Sequence, residues 1–351
     1  MGQRHWDIFC RVIDNHGDVG VCWRLARELG AHGEAVRLWL DDDGALRWMA
    51  PAGARGVQVL PWNEEAATVA PGDVVVEAFG CDPPASFVAA MASQRTPPLW
   101  INLEYLSAEP YVERSHGLAS PQLTGAGRGL TKWFFYPGFT AGTGGLLLES
   151  DLMARRVAFS RDAWLAAQGI SLLENERVVS VFCYAASRLR ELLPALATQP
   201  TLLLLTPGPA QDLLRDTVLP ASLRCVALPW LTQIDYDHLL WSSDLNLVRG
   251  EDSLVRALWA GAPFLWQLYP QSDGAHVNKL EAFAACFKAS AVPGLQALWR
   301  RWNGVERGDM QLPAQAPWAA ASLAFRDNLL TQSDLVTQLL GFVRGNLATR
   351  C

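Results

Sequence analysis

The stretch from Asp244 to Gln271, DLNLVRGEDSLVRALWAGAPFLWQLYPQ, constrains the fold of this chain more than any other. Leu245, Leu247 and Val248 form one apolar run, and Phe264 to Leu268 form another. Helix formers fill Ser253 to Ala260 between them, and Gly261 with Pro263 stops the helix. The pattern predicts strand, tight turn, helix and returning strand, a βαβ unit. Open α/β sheets bind ligands at the carboxyl ends of their strands, near helix N-termini whose N–H groups attract phosphate. At that turn stands Arg249-Gly250-Glu251-Asp252-Ser253. Two adjacent acids repel a bare diphosphate. A sugar nucleotide reconciles them, because its hydroxyls seek carboxylates while its diphosphate seeks Arg249 and N–H donors. Asp252 and Ser253 are equally suited to ordinary helix capping.

The same alternation runs through both halves. Trp6 to Cys10, Val36 to Leu40, Val57 to Leu60, Val74 to Val76 and Leu99 to Leu103 read as strands, with helices over Val19 to Leu29 and Pro84 to Ala92. A stretch rich in Pro and Gly, Glu104 to Gly145, reads as irregular, but its aromatics argue for a packed, surface-shaping segment. Asp162 to Glu174 reads as a helix linking the halves. A second alternating series begins at Val178, and a last helix, Ser333 to Asn346, has Ser333 as its cap. The length of 351 residues fits two domains. We expect residues 1–160 to form an N-terminal Rossmann-like domain and 161–330 a C-terminal one, with a helix over about 331–351 packing back on the first.

A net charge of -6 argues against general nucleic-acid binding. No apolar run reaches the roughly 18 residues of a membrane span, and the N-terminus lacks a signal peptide. The seven cysteines are scattered and include no CxxC pair, so they read as reduced thiols of a cytoplasmic protein. The histidines show no metal-ligand spacing, so no metal site is expected.

A second turn of interest, Asp14-Asn15-His16-Gly17-Asp18-Val19-Gly20, joins the first strand to the first helix. Gly17 and Gly20 allow close backbone approach to a ligand. The spacing is not GxGxxG, which disfavours a dinucleotide. Asp14 and Asp18 fall at the carboxyl end of a strand, where either can serve as a general base; a helix cap is the other reading of Asp18.

Four blocks, IDNHGDVGVCWRLAREL, INLEYLSAEPYVERSHGLASPQ, FFYPGFTAGTGGLLLE and the Asp244 to Gln271 segment, together resemble the EarP family of protein-arginine rhamnosyltransferases, which modify bacterial translation elongation factor P. The resemblance covers nearly the whole chain. It implies a GT-B fold, two facing Rossmann-like domains with a cleft between them. It also implies inverting transfer of L-rhamnose from dTDP-β-L-rhamnose to one arginine guanidinium nitrogen of elongation factor P, without a metal or other cofactor. The family's catalytic aspartate matches Asp18, and its partner acid matches Asp14. Arg249, Gly250, Glu251, Asp252 and Ser253, with Tyr269, Gln271 and Gly17, match the residues around the donor's diphosphate and sugar. The nucleobase segment corresponds to Pro229-Trp230-Leu231-Thr232-Gln233, where Trp230 replaces the usual Phe and keeps a stacking face, while Gln233 can pair with the thymine edge. Phe182 and Tyr184 would neighbour the base on this resemblance; read from the residues alone, aromatics at a strand end are more often core. Glu104, Glu109 and Glu113 offer charge toward the acceptor protein, or simply a solvated loop. Two other readings remain: a GT-B enzyme using another sugar nucleotide or acceptor, or a non-catalytic nucleotide-sugar-binding module.

Overall fold

The computed structural model describes residues 2–13, 16–63, 69–271 and 274–348. The chain divides into two compact units, Met1–Ser150 with Leu330–Cys351, and Asp151–Leu329.

The first unit is built on β1 (His5–Cys10), β2 (Ala35–Leu40), β3 (Val57–Pro61), β4 (Val74–Ala78), β5 (Leu99–Leu103), β6 (Ala119–Pro121) and β7 (Thr131–Phe135). They form one sheet in the order β3-β2-β1-β4-β5-β7-β6. All pairings are parallel except the edge pair β6–β7. The central strands VVVEA and LWINL are buried along their whole length, as parallel strands covered on both faces must be. Four helices join them: α1 (Gly17–Ala31), α2 (Leu46–Met49), α3 (Ala85–Ser93) and α4 (Tyr111–Ser115). Val19, Cys22, Trp23, Ala26 and Leu29 recur at helical spacing and bury one stripe of α1 against the sheet. The stretch from Glu104 to Gly145, expected to be irregular, contains α4, β6 and β7. Its prolines and glycines bound elements too short to show a period of their own.

The second unit carries β8 (Arg177–Val181), β9 (Thr201–Leu205), β10 (Leu223–Ala227), β11 (Leu245–Arg249) and β12 (Phe264–Gln267), all parallel, in the order β10-β9-β8-β11-β12. Its helices are α5 (Leu152–Ala158), α6 (Arg161–Ala167), α7 (Leu189–Leu196), α8 (Pro209–Leu214), α9 (Gln233–Ser242), α10 (Gly250–Ala260), α11 (Ala275–Phe287), α12 (Leu295–Trp302) and α13 (Gln315–Leu329). The chain leaves the first unit at Ser150, ahead of the division expected at 160. The reason is α5, whose Arg155 lies 3.5 Å from Asp237 and over the Trp241 ring. Nor is α6 a linker: Trp164 and Leu165 enter a core with Val178, Leu204 and Leu239, and Gly169 at φ +70° turns the chain into β8.

The last helix, α14 (Leu335–Ala348), returns to the first unit, where Leu335, Val336, Leu339 and Val343 join the core of β1, β4 and α1. Its cap is Asp334, not Ser333: the Asp334 carboxylate accepts from the Thr337 N–H at 2.9 Å.

Each sheet has a switch point where connections leave on opposite sides, between β1 and β4 in the first and between β8 and β11 in the second. Carboxyl ends at such points are where doubly wound sheets hold ligands.

Candidate functional site

The β8–β11 switch point brings Phe182, Cys183 and Tyr184 beside Arg249. Strand β11 ends at Arg249 and α10 begins at the next residue. Gly250 makes this abrupt change at φ +66°, a left-handed conformation that glycine adopts without cost. The Ser253 hydroxyl laces the turn, accepting from the Arg249 N–H at 3.0 Å and donating to the Arg249 carbonyl. Trp266 Nε1 donates to the Gly250 carbonyl at 2.7 Å, tying the turn to β12. Beneath it, Arg256 on α10 meets Asp237 on α9 in a buried two-pronged ion pair, both contacts 2.8 Å.

Arg249 is 7% exposed. Its guanidinium lies 4.4 Å from the centre of the Phe182 ring and 4.5 Å from that of Tyr184. Both rings, in the segment just after β8, therefore flank one cation. Nη1 donates to the Cys183 carbonyl at 3.3 Å. Among the described residues no carboxylate pairs with this guanidinium. A permanently charged arginine buried without a counter-ion is costly unless a ligand supplies the negative charge. Tyr184 is fixed in turn by Gln267 Oε1, which accepts its N–H at 2.9 Å, and by the edge of Tyr269, 5.5 Å between ring centres. Sequence reasoning passed over Gln267, since nothing in a strand of apolar residues marks one amide as functional.

The expected base-binding segment leads into α9. Trp230 is half exposed, Thr232 caps the helix through the Asp235 N–H at 3.0 Å, and Gln233 is buried at its first position. One turn on, Tyr236 sets its ring against Phe182, with centres 5.6 Å apart. Burial pushes the Tyr236 hydroxyl well above the usual tyrosine range, so it stays protonated. Gln271 is exposed, and its N–H donates to His276 Nδ1 at 3.2 Å.

In the first unit Asp18 lies in the first turn of α1, 4% exposed, and its Oδ2 accepts from the Ile13 N–H at 2.9 Å. The cap position falls on His16, and Gly17 opens the helix. Asp14 lies outside the described residues. Around Asp18, burial pushes the Cys22 thiol up, and the Cys81 thiol to about 12, so neither is a nucleophile at neutral pH. Across the switch point, at the carboxyl end of β4, Phe79 holds φ +59°, rare for an aromatic residue. It is kept there by its N–H bond to the Leu103 carbonyl at 2.7 Å and by stacking on Tyr105, 4.5 Å between centres. The acids of the neighbouring segment are each bonded: Glu104 to Asn102 at 2.7 Å, Glu109 to Ser107 at 2.9 Å, and Glu113 to Thr140. A cavity of about 500 Å³ opens at the amino ends of this sheet's central strands, beside His5 and Asp73. Its arginines, Arg4 and Arg37, already pair with Glu34 and Asp7, so it lacks an unpaired cation like Arg249.

Among the described residues no three His, Cys, Asp or Glu side chains cluster to hold a metal ion, and no helix is long and apolar enough to cross a membrane.

The chain matches the family model for the elongation factor P rhamnosyltransferase EarP over residues 6–344. It belongs to that family. It is 44% identical to a protein-arginine rhamnosyltransferase of Pseudomonas putida, over 97% of this chain and 99% of the relative. It also resembles a structure described as the basis for EarP-mediated arginine glycosylation of elongation factor P, with a TM-score of 0.64, 31% identity, and 98% and 99% of the two chains covered. A calicheamicin glycosyltransferase shares the fold at 15% identity and a TM-score of 0.56, covering 99% and 100%. This EarP-family chain is therefore a glycosyltransferase with the two Rossmann-like domains of the GT-B class.

Proposed function

We propose that this protein moves L-rhamnose from dTDP-β-L-rhamnose to an arginine of bacterial elongation factor P, with inversion, in the cytoplasm. The observation that carries the donor half is Arg249, buried among aromatics with no carboxylate of its own among the described residues. Membership of the EarP family supports the sugar and the acceptor.

Arginine is a poor nucleophile, because its delocalised guanidinium stays protonated at neutral pH. Asp18 answers this by pairing with the acceptor guanidinium, aiming one nitrogen at the anomeric carbon and taking its proton as the bond forms. As that C–N bond forms, the bond from the anomeric carbon to the diphosphate oxygen breaks, and the electron pair leaves with dTDP. One displacement from the opposite face turns the β-linked donor into an α-linked product. Asp14 shares the acidic turn and is proposed to orient the acceptor. The growing charge on dTDP is met by Arg249 and the N-terminus of α10. Ser253 laces that turn and keeps both in place. Glu251 and Asp252 accept from sugar hydroxyls, with Tyr269 and Gln271 alongside, and Gly17 lets the first turn approach the donor. Trp230, Gln233 and Phe182 form the base site, joined by Tyr236. Tyr184 serves mainly to flank Arg249.

The test is to mix the purified protein with dTDP-β-L-rhamnose and elongation factor P and record the acceptor's intact mass. One added deoxyhexose on an arginine is expected, and EDTA should leave the yield unchanged. An unmodified acceptor, with active enzyme shown to bind dTDP, would refute the acceptor or the sugar.

A further inference from the structure

The α10 turn holds an electrostatic difficulty that its own residues do not resolve. Arg249 is followed in the turn by two carboxylates, Glu251 and Asp252, so the turn by itself is net negative where a diphosphate is to bind. The missing charge comes from a different element. Lys279, on α11, pairs its ammonium group with the Glu251 carboxylate, and both side chains are about one-fifth exposed (20% and 21%). That contact joins residues 28 apart in sequence. Three residues before Lys279, and so on the same helix face, His276 accepts the Gln271 N–H at 3.2 Å. One face of α11 therefore holds both a turn residue of α10 and the segment after β12.

We propose that Lys279 is a positioning residue of the donor site, a charge-compensating strut that cancels Glu251 and fixes its carboxylate. With Lys279 the turn sums to neutrality, and the field at the diphosphate is set by Arg249 and the helix N-terminus. The ammonium acts through Glu251 and need not touch the ligand. This inference rests on reading the turn as the diphosphate site.

Calorimetric titration with dTDP, which carries the diphosphate but not the sugar, separates the possibilities. Lys279→Met leaves the Glu251 carboxylate without its ammonium partner and should weaken dTDP binding about tenfold, the scale of one partly screened charge at a protein surface. Glu251→Gln alone should bind dTDP no more weakly than the native chain. The double variant, Lys279→Met with Glu251→Gln, should return to within about twofold of native affinity, because removing the carboxylate removes the need for its partner. Such a rescue would not follow if Lys279 were merely structural. A double variant as weak as Lys279→Met alone would overturn the proposal in favour of direct phosphate contact, and native affinity in Lys279→Met would overturn it outright. A native protein that fails to bind dTDP would remove the underlying reading and the inference with it. Loss of binding in Arg249→Ala, with none in Lys279→Met, would remove the inference alone.

Discussion

The two switch points occupy equivalent places in their sheets yet each buries a residue of opposite charge, Asp18 in one and Arg249 in the other. At the end of β1, Asp18 sits in the first turn of α1 and bonds back to its own loop through the Ile13 N–H. At the end of β11, Arg249 stands just before α10, gripped by aromatic faces and lacking a carboxylate among the described residues. A carboxylate at a helix start is stabilised by the helix itself. A buried cation at the same place is opposed by the dipole and, among the described residues, is held by aromatic rings and the Cys183 carbonyl but by no carboxylate. The second arrangement is the one that, on the proposed function, an anion would complete. On the proposed function, the same topology serves a proton acceptor in one unit and an anion receptor in the other.

The comparison breaks most visibly at Asp18. Asp18→Asn keeps the shape and should slow transfer by about 10²–10⁴-fold at saturating substrates, the usual cost of losing a general base; rates near the native value in a single-turnover assay would remove the acid from the chemistry. Arg249→Ala should raise the donor KM by roughly 10–100-fold, as expected when a charged hydrogen-bonding partner is lost, and slow the chemical step as well. Gly250→Ala forces a side chain into the left-handed region at about 1–2 kcal/mol, so thermal unfolding should begin several degrees lower and donor binding should weaken with it. The smallest effect is expected at the acids of the first unit. Glu109→Gln with Glu113→Gln should raise the acceptor KM by roughly two- to fivefold and leave the donor KM unchanged, in keeping with exposed ion pairs.

Much of this was legible in the sequence where one local signal sufficed. The change from a run of β-formers to helix formers at Arg249 placed the turn between β11 and α10, and Gly261 at φ +72° ends α10 where the stop signal stood. Other features depend on contacts between distant residues and leave no local trace. Lys279 reads as an ordinary charge on the solvent side of a helix until the fold sets it against Glu251. Tyr236 and Gln267 become part of the site only through Phe182 and Tyr184. The strain at Phe79 is likewise silent in a sequence, because its cause is the stacking with Tyr105. Strands β6 and β7 leave little trace for a different reason: turn residues crowd them on both sides, and β6 pairs with β7 while β7 pairs with β5, outside the segment.

The division of labour between the two turns is tested most directly by titrating dTDP, in parallel, into the native protein, Asp18→Asn and Arg249→Ala. The account predicts that Asp18→Asn binds like the native protein while Arg249→Ala loses most of its affinity. Equal losses in both variants would contradict it, since the acid would then belong to the anion's site and not to the acceptor's.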